Sequence, residues 1–164
     1  MTGVMFEHLR DVAPSSIVSL MNDPLVRRHL PLAEGVFTTA DCERFIESKE
    51  RMWAESGYGP WALLEDGEFL GWGGLQPVSD DAELGLVLCP SSWGIGRAMY
   101  RRFVSYAFEE LQLESVIAML PHSRTRGGGL TRLGFVRDGE YETNGVRFLR
   151  FRLFESARTG FLCA

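Results

Sequence analysis

The chain has 164 residues, of which 45% are hydrophobic and 24% charged, enough to bury one substantial core, so a single domain over 1–164 is expected. A net charge of −5 excludes general nucleic-acid binding, which needs a basic stripe aligned with phosphates. Three cysteines without a Cys-x-x-Cys pair indicate neither a disulfide framework nor a zinc site, no run has a signal-peptide layout, and none approaches the roughly 20 apolar residues that span a bilayer, so a metal-free cytoplasmic protein is expected.

Met5 to Arg10 reads as a first strand, and Pro14 with Ser15 and Ser16 opens a helix that runs through Met21 and ends at Asn22-Asp23-Pro24. Leu25 to Leu30 forms a short second helix stopped by Pro31. Thr38 or Thr39 caps a third, whose apolar face carries Phe45, Ile46, Met52 and Trp53 until Ser56-Gly57 ends it. Two strands follow, Trp61 to Leu64 and Glu68 to Leu75, joined by a hairpin turn at Glu65-Asp66-Gly67.

The run Glu83 to Leu88 has the length and apolar content of a buried strand, and Pro90 stops it. From Arg97 to Leu111 the apolar residues Met99, Phe103, Tyr106, Ala107 and Leu111 recur at helical spacing. Between the two lies Trp93-Gly94-Ile95-Gly96. Glycines there let the main chain approach a ligand, and the first amides of the helix point outward at the positive end of its dipole, so a phosphate-bearing ligand suits the site. A glycine-rich bend with no ligand is the other reading of that spacing. Ser115 to Met119, a strand after a helix, is most simply parallel to 83–88. Phe135 to Tyr141 and Arg147 to Phe154 close the chain around a turn at Asn144-Gly145, with 147–154 a candidate edge for pairing across a dimer; monomer and homodimer both stay open. The expected fold is α/β (α+β): a mixed, mostly antiparallel sheet of six to seven strands flanked by helices, with a central β-loop-α-β unit.

The stretch Trp93-Gly94-Ile95-Gly96-Arg97-Ala98 resembles the acyl-CoA loop of the GNAT superfamily of N-acyltransferases, Gln/Arg-x-x-Gly-x-Gly/Ala, in a Trp-Gly-x-Gly-x-Ala variant. Asn22-Asp23-Pro24, Ala82-Glu83-Leu84-Gly85, Tyr106-Ala107-Phe108-Glu109-Glu110-Leu111 and Leu133-Gly134-Phe135 look like the branch that contains the ribosomal-protein alanine acetyltransferases (RimJ/RimL type). The resemblance covers nearly the whole chain. It implies the GNAT fold, with Arg124 to Leu133 as a helix, and transfer of an acetyl group from acetyl-CoA to an amine by direct attack, without a covalent enzyme intermediate.

Such a reaction must hold a pyrophosphate, polarise a thioester carbonyl and carry away the ammonium proton. For the first task the resemblance points to the amides of Trp93, Gly94, Ile95, Gly96, Arg97 and Ala98, with Arg97 or Arg101 available to a phosphate; both arginines also fit a solvated helix face. For the second it points to the main chain of Leu86, Val87 and Leu88, provided that strand splays from 115–119. For the third, Glu83 at the strand start is either the base or an ordinary surface carboxylate, and His122 is either a proton carrier or a plain loop residue. His29 is a weaker candidate for substrate contact. Trp53, Tyr58, Trp61, Trp72 and Phe37 either line an amine pocket or fill the core. The acceptor is an amine on a small molecule or at a protein N-terminus.

After strand 115–119 this branch commonly reads Pro-Glu-Asn-x-x-Ser-x-x-x-Leu-x-Lys-x-Gly-Phe, whereas here Ser123 stands in the Asn place and Arg126 in the Ser place. Ser123 can still bond a pantetheine and Arg126 a phosphate, but neither inherits its role by identity. Where many members place a Tyr that protonates the leaving thiolate, this chain has Leu130, and Gly127 to Gly129 weaken the helix before it by roughly 1 kcal/mol each. These departures leave a second expectation: a poorly catalytic GNAT-fold protein that binds acyl-CoA as a sensor or partner-binding module.

Overall fold

A computed structural model of the chain describes residues 3–122 and 128–161. The elements are β1 (Met5–Glu7), α1 (Pro14–Asn22), α2 (Pro24–Arg27), α3 (Thr39–Ser56), β2 (Pro60–Glu65), β3 (Glu68–Val78), β4 (Asp81–Leu88), α4 (Gly96–Ser105), β5 (Ser115–Pro121), α5 (Gly128–Arg132), β6 (Val136–Thr143) and β7 (Val146–Phe154). The strands form one sheet in the order β1-β2-β3-β4-β5-β7-β6, antiparallel except between β4 and β5.

Local chemistry sets the helix ends. Asp23 accepts from the amides of Leu25 and Val26, so one residue closes α1 and starts α2. Thr38 and Asp41 cap α3 reciprocally, and Gly57, at φ +78°, ends it. Asp66 and Gly67, at φ 52° and 79°, make the tight hairpin between β2 and β3.

Alternation along the strands divides the core into two layers. Leu84 and Leu88 of β4 face α4, joining Leu75, Met99, Phe103, Val116 and Leu153. Val87 and Trp72 face the other way, against Ile17, Leu20 and Cys42 under α1 and α3. Glu83, four residues along from Val87, belongs to this second face.

Several expected boundaries move. The first strand stops at Glu7, because residues 9–11 form a tight turn that drops Leu9 fully into the core. The second helix ends at Arg27 rather than Leu30. The helix after the loop is regular only to Ser105; its last turn widens, with the Leu111 amide donating to the Tyr106 carbonyl at 3.1 Å. Strand 147–154 is not an edge: β7 lies between β5 and β6, so β1 and β6 are the edges. Of the helix expected over 124–133, the described part is α5; residues 123–127, with Ser123 and Arg126, lie outside the described residues. Among the described residues no helix is long and apolar enough to cross a membrane.

Candidate active site

The parallel strands β4 and β5 are in register at one pair, Glu83 with Ile117, and then part. Their separation opens a cavity of about 500 Å³, walled on one side by Leu84 to Leu88 and on the other by Met119, Leu120 and Pro121. Tyr100 from α4 and Leu130 and Leu133 from the α5 region line it on one face of the sheet, and Val26, His29 and Leu30 on the other, so the cleft reaches both faces. A strand pair that opens leaves main-chain amides and carbonyls without their ladder partners, which suits an extended ligand bearing amide groups.

At the cavity mouth, residues 90–95 form a tight helical turn that runs directly into α4. The Trp93 indole Nε1 donates to the Leu88 carbonyl at 3.0 Å, tying this turn to the end of β4, and His29 packs edge-on to the same ring with centroids 5.9 Å apart. Ile95, the N-cap residue of α4, makes no side-chain capping bond among the described residues. The Gly96 amide is already engaged by the Trp93 carbonyl, so the amides that follow it carry the positive end of the helix. Neither Gly94 nor Gly96 has a positive φ. What they contribute is room: a Cβ at Gly94 would meet nothing within 4 Å, and one at Gly96 only Leu86 Cδ2 at 3.8 Å. Arg97 lines the cavity, and the buried Nε of Arg101, one turn further, has no hydrogen-bond partner among the described residues. A charge-bearing donor left unpartnered in the fold suits an anion.

On the α3 side, Glu83 lines the cavity opposite Gln76 of β3. Burial pushes its carboxyl up from the ordinary carboxylate range, and the nearby Lys49 charge pulls it partly back. Burial lowers the Lys49 ammonium in turn, opposed by Glu83. Lys49 Nζ lies 5.2 Å from the ring centroids of both Phe45 and Trp72 and donates to Gln76 Oε1. A carboxyl raised toward neutrality beside a cleft is suited to taking a proton from a reacting group.

A family model described as Acetyltransferase (GNAT) domain matches residues 5–135. The chain belongs to the GNAT acetyltransferase family. It is similar to the FsC-acetyl coenzyme A-N(2)-transacetylase of Aspergillus fumigatus, 37% identical over an alignment of 95 residues that covers 47% of this chain and 40% of that protein. The chain thus spans about two fifths of this curated relative. Its fold is similar to that of the spermidine N-acetyltransferase from Vibrio cholerae in complex with CoA and spermine, at TM-score 0.75, 16% identity and 98% coverage of both chains. It is also similar to an acetyltransferase of the GNAT family from Bacillus anthracis, at TM-score 0.71, 18% identity and coverage of 94% of this chain and 96% of the other.

Within this GNAT domain, eight of the residues singled out from sequence meet at the cavity: His29, Glu83, Leu86, Val87, Leu88, Trp93, Gly96 and Arg97. Gly94, Ile95, Ala98 and Arg101 flank it without lining it; Ile95 and Ala98 pack on the core. His122 turns away, with its Nε2 3.8 Å from Glu140 Oε1 on β6. None of Trp53, Tyr58, Trp61, Trp72 and Phe37 lines the cavity. Trp61 stacks on Phe6 and Phe103 in the core, and Trp53 bonds the Pro60 carbonyl. Sequence reasoning missed Lys49, Gln76 and Tyr100. Tyr100 is three residues after Arg97 on a helix expected to face a ligand, a signal that was present; Gln76 joins Glu83 only through strand register, and Lys49 only through its bond to Gln76.

Proposed function

We propose that the protein is an acetyl-CoA-dependent N-acetyltransferase that moves an acetyl group to a primary amine by direct attack within a ternary complex. The observation that carries this reading is the opening of β4 from β5 immediately before the start of α4, with Glu83 at the point of divergence. The cleft is long enough in sequence, from Glu83 to Trp93, to take an extended arm ending in a phosphate-bearing group at residues 93–98. The residue set fits that donor, since Gly94 leaves open space and Arg97 and Arg101 offer guanidinium groups beside the helix start.

The roles follow from position. Main-chain groups of Leu86 to Leu88 hold and polarise the acyl arm. Glu83, with its raised affinity for a proton, takes the ammonium proton so that a neutral amine attacks the thioester carbonyl; the nitrogen–carbon bond forms, the carbon–sulfur bond breaks, and the second nitrogen proton leaves with the sulfur as the thiol of coenzyme A. Acetyl-CoA is the donor, no metal takes part, and the protein works in the cytoplasm. Sequence motifs support the branch of the ribosomal-protein alanine acetyltransferases and hence a protein N-terminus as acceptor, while the similarly folded spermidine N-acetyltransferase supports a small-molecule amine.

A second reading, an acyl-CoA-binding sensor with little turnover, draws on Leu130, which lines the cavity where the family resemblance implies a thiolate-protonating tyrosine. Release of coenzyme A thiol on incubation with acetyl-CoA and a panel of amines separates the two. Amine-dependent release that Glu83→Gln depresses supports the enzyme; tight acetyl-CoA binding with no release on any amine supports the sensor.

A further inference from the structure

Gln76 and Glu83 are direct cross-strand partners on the same sheet face, one ending in a carboxamide and the other in a carboxylate. The carboxamide has a fixed sense. Lys49 Nζ, an ammonium that can only donate, bonds Gln76 Oε1, so Nε2 is turned the opposite way. There it lies 2.8 Å from the point a Cβ on Gly85 would occupy, so the missing side chain of Gly85 is what admits it. Both Gly85 and Glu83 line the cleft, and Nε2 makes no hydrogen bond to any described residue. Lys49 is itself held over the rings of Phe45 and Trp72. Glu83 thus lines the cleft as an acceptor, while Gln76, behind the lining, reaches its N–H donor toward the cleft through the space left at Gly85, with the Lys49 charge on its other side.

Resting on the acetyltransferase reading above, we propose that Gln76 is a specificity-determining residue. Its carboxamide N–H receives a carbonyl oxygen on the carbon next to the amine-bearing carbon, selecting α-amino acyl acceptors over plain alkylamines and polyamines. Lys49 is a positioning residue that sets the sense of the amide. In an α-amino acyl group the nitrogen and the carbonyl oxygen lie along one edge of the molecule and meet two side chains on neighbouring strands together. An alkylamine leaves the Gln76 donor unmet, and a polyamine brings a second cation toward Lys49.

The test is acetyl transfer from acetyl-CoA to alaninamide, isobutylamine and spermidine, followed by thiol release on the full chain. One neutral hydrogen bond predicts a kcat/KM for alaninamide about tenfold above isobutylamine, with spermidine no better. In Gln76→Met the preference falls toward unity through a rise in KM for alaninamide, while acetyl-CoA affinity, read by calorimetry, stays as in the parent. Lys49→Met moves the preference the same way, and Lys49→Arg restores it. Equal use of isobutylamine or spermidine by the parent protein, or a preference retained in both the Gln76→Met and Lys49→Met variants, overturns the inference and leaves the acetyltransferase reading standing. No transfer to any amine overturns both.

Discussion

Glu83 of β4 stands in register with Ile117 of β5 at the one pair where the two parallel strands meet. Everything proposed for the site depends on that geometry. The strands diverge past this point, so the carboxylate sits at the base of the cleft while Trp93 and Arg97 stand at its mouth.

Glu83→Gln removes the proton acceptor without changing side-chain size. Loss of a general base lowers kcat by about 10² to 10⁴-fold, and the calorimetric acetyl-CoA affinity is expected to remain. A variant that keeps full turnover at neutral pH removes Glu83 from the mechanism.

The pH profile carries a second expectation. A base must be deprotonated to act, so activity rises with pH through the Glu83 pKa. Lys49 lowers that pKa against the effect of burial, and Lys49→Met therefore moves the acidic limb of kcat upward in pH. A limb that stays in place, or moves down, contradicts the electrostatic coupling of the two residues.

Trp93→Phe keeps the ring against His29 and deletes the N–H that holds the Leu88 carbonyl. The loss of one hydrogen bond, about 1 kcal/mol, is expected to weaken acetyl-CoA binding about fivefold by loosening the turn from the strand. Calorimetry on the variant checks it; unchanged affinity means that the tether serves the fold alone.

Arg152 of β7 donates to both oxygens of Asp81, at 2.7 and 3.2 Å, and to Asp138 at 2.8 Å. These contacts hold the Asp81 carboxyl below its ordinary range. A carboxyl depressed in the folded state contributes stability above its unfolded pKa and loses it as pH falls through the folded value. After allowance for solvent screening of these partly exposed groups, Arg152→Met is expected to cost about 1 to 2 kcal/mol at pH 7. The difference from the parent should shrink below about pH 4, as urea unfolding at pH 7 and pH 3 would show.

Much of this architecture was legible because its determinants are local. Asp23 before Pro24 and Asp66-Gly67 each fix a boundary by side chain or backbone freedom where expected, and of the two cap candidates Thr38 and Thr39 it is Thr38, paired with Asp41, that starts α3. The break between β4 and the next helix was legible from Pro90, although residues 90–95 form a tight helical turn rather than an open loop and neither Gly94 nor Gly96 has a positive φ. Lys49 was not: on α3 it is one polar residue among many, and only the register that sets Gln76 beside Glu83 gives it a role. The edge assigned to 147–154 failed similarly, because strand order in the sheet departs from chain order at β7 and β6. His122 was a candidate proton carrier by residue type and position alone, yet chain direction after Pro121 carries it to Glu140 on β6.

Calorimetric titration of the purified chain with acetyl-CoA, beside Gly96→Trp, tests the central claim most directly. A Cβ at residue 96 has only Leu86 near it, so an indole there grows into the cleft rather than into packed core. The account predicts saturable binding by the parent and its loss in a Gly96→Trp variant that unfolds at the same temperature. No binding by the parent, or equal binding by both, would contradict the assignment of this cleft to the acetyl donor.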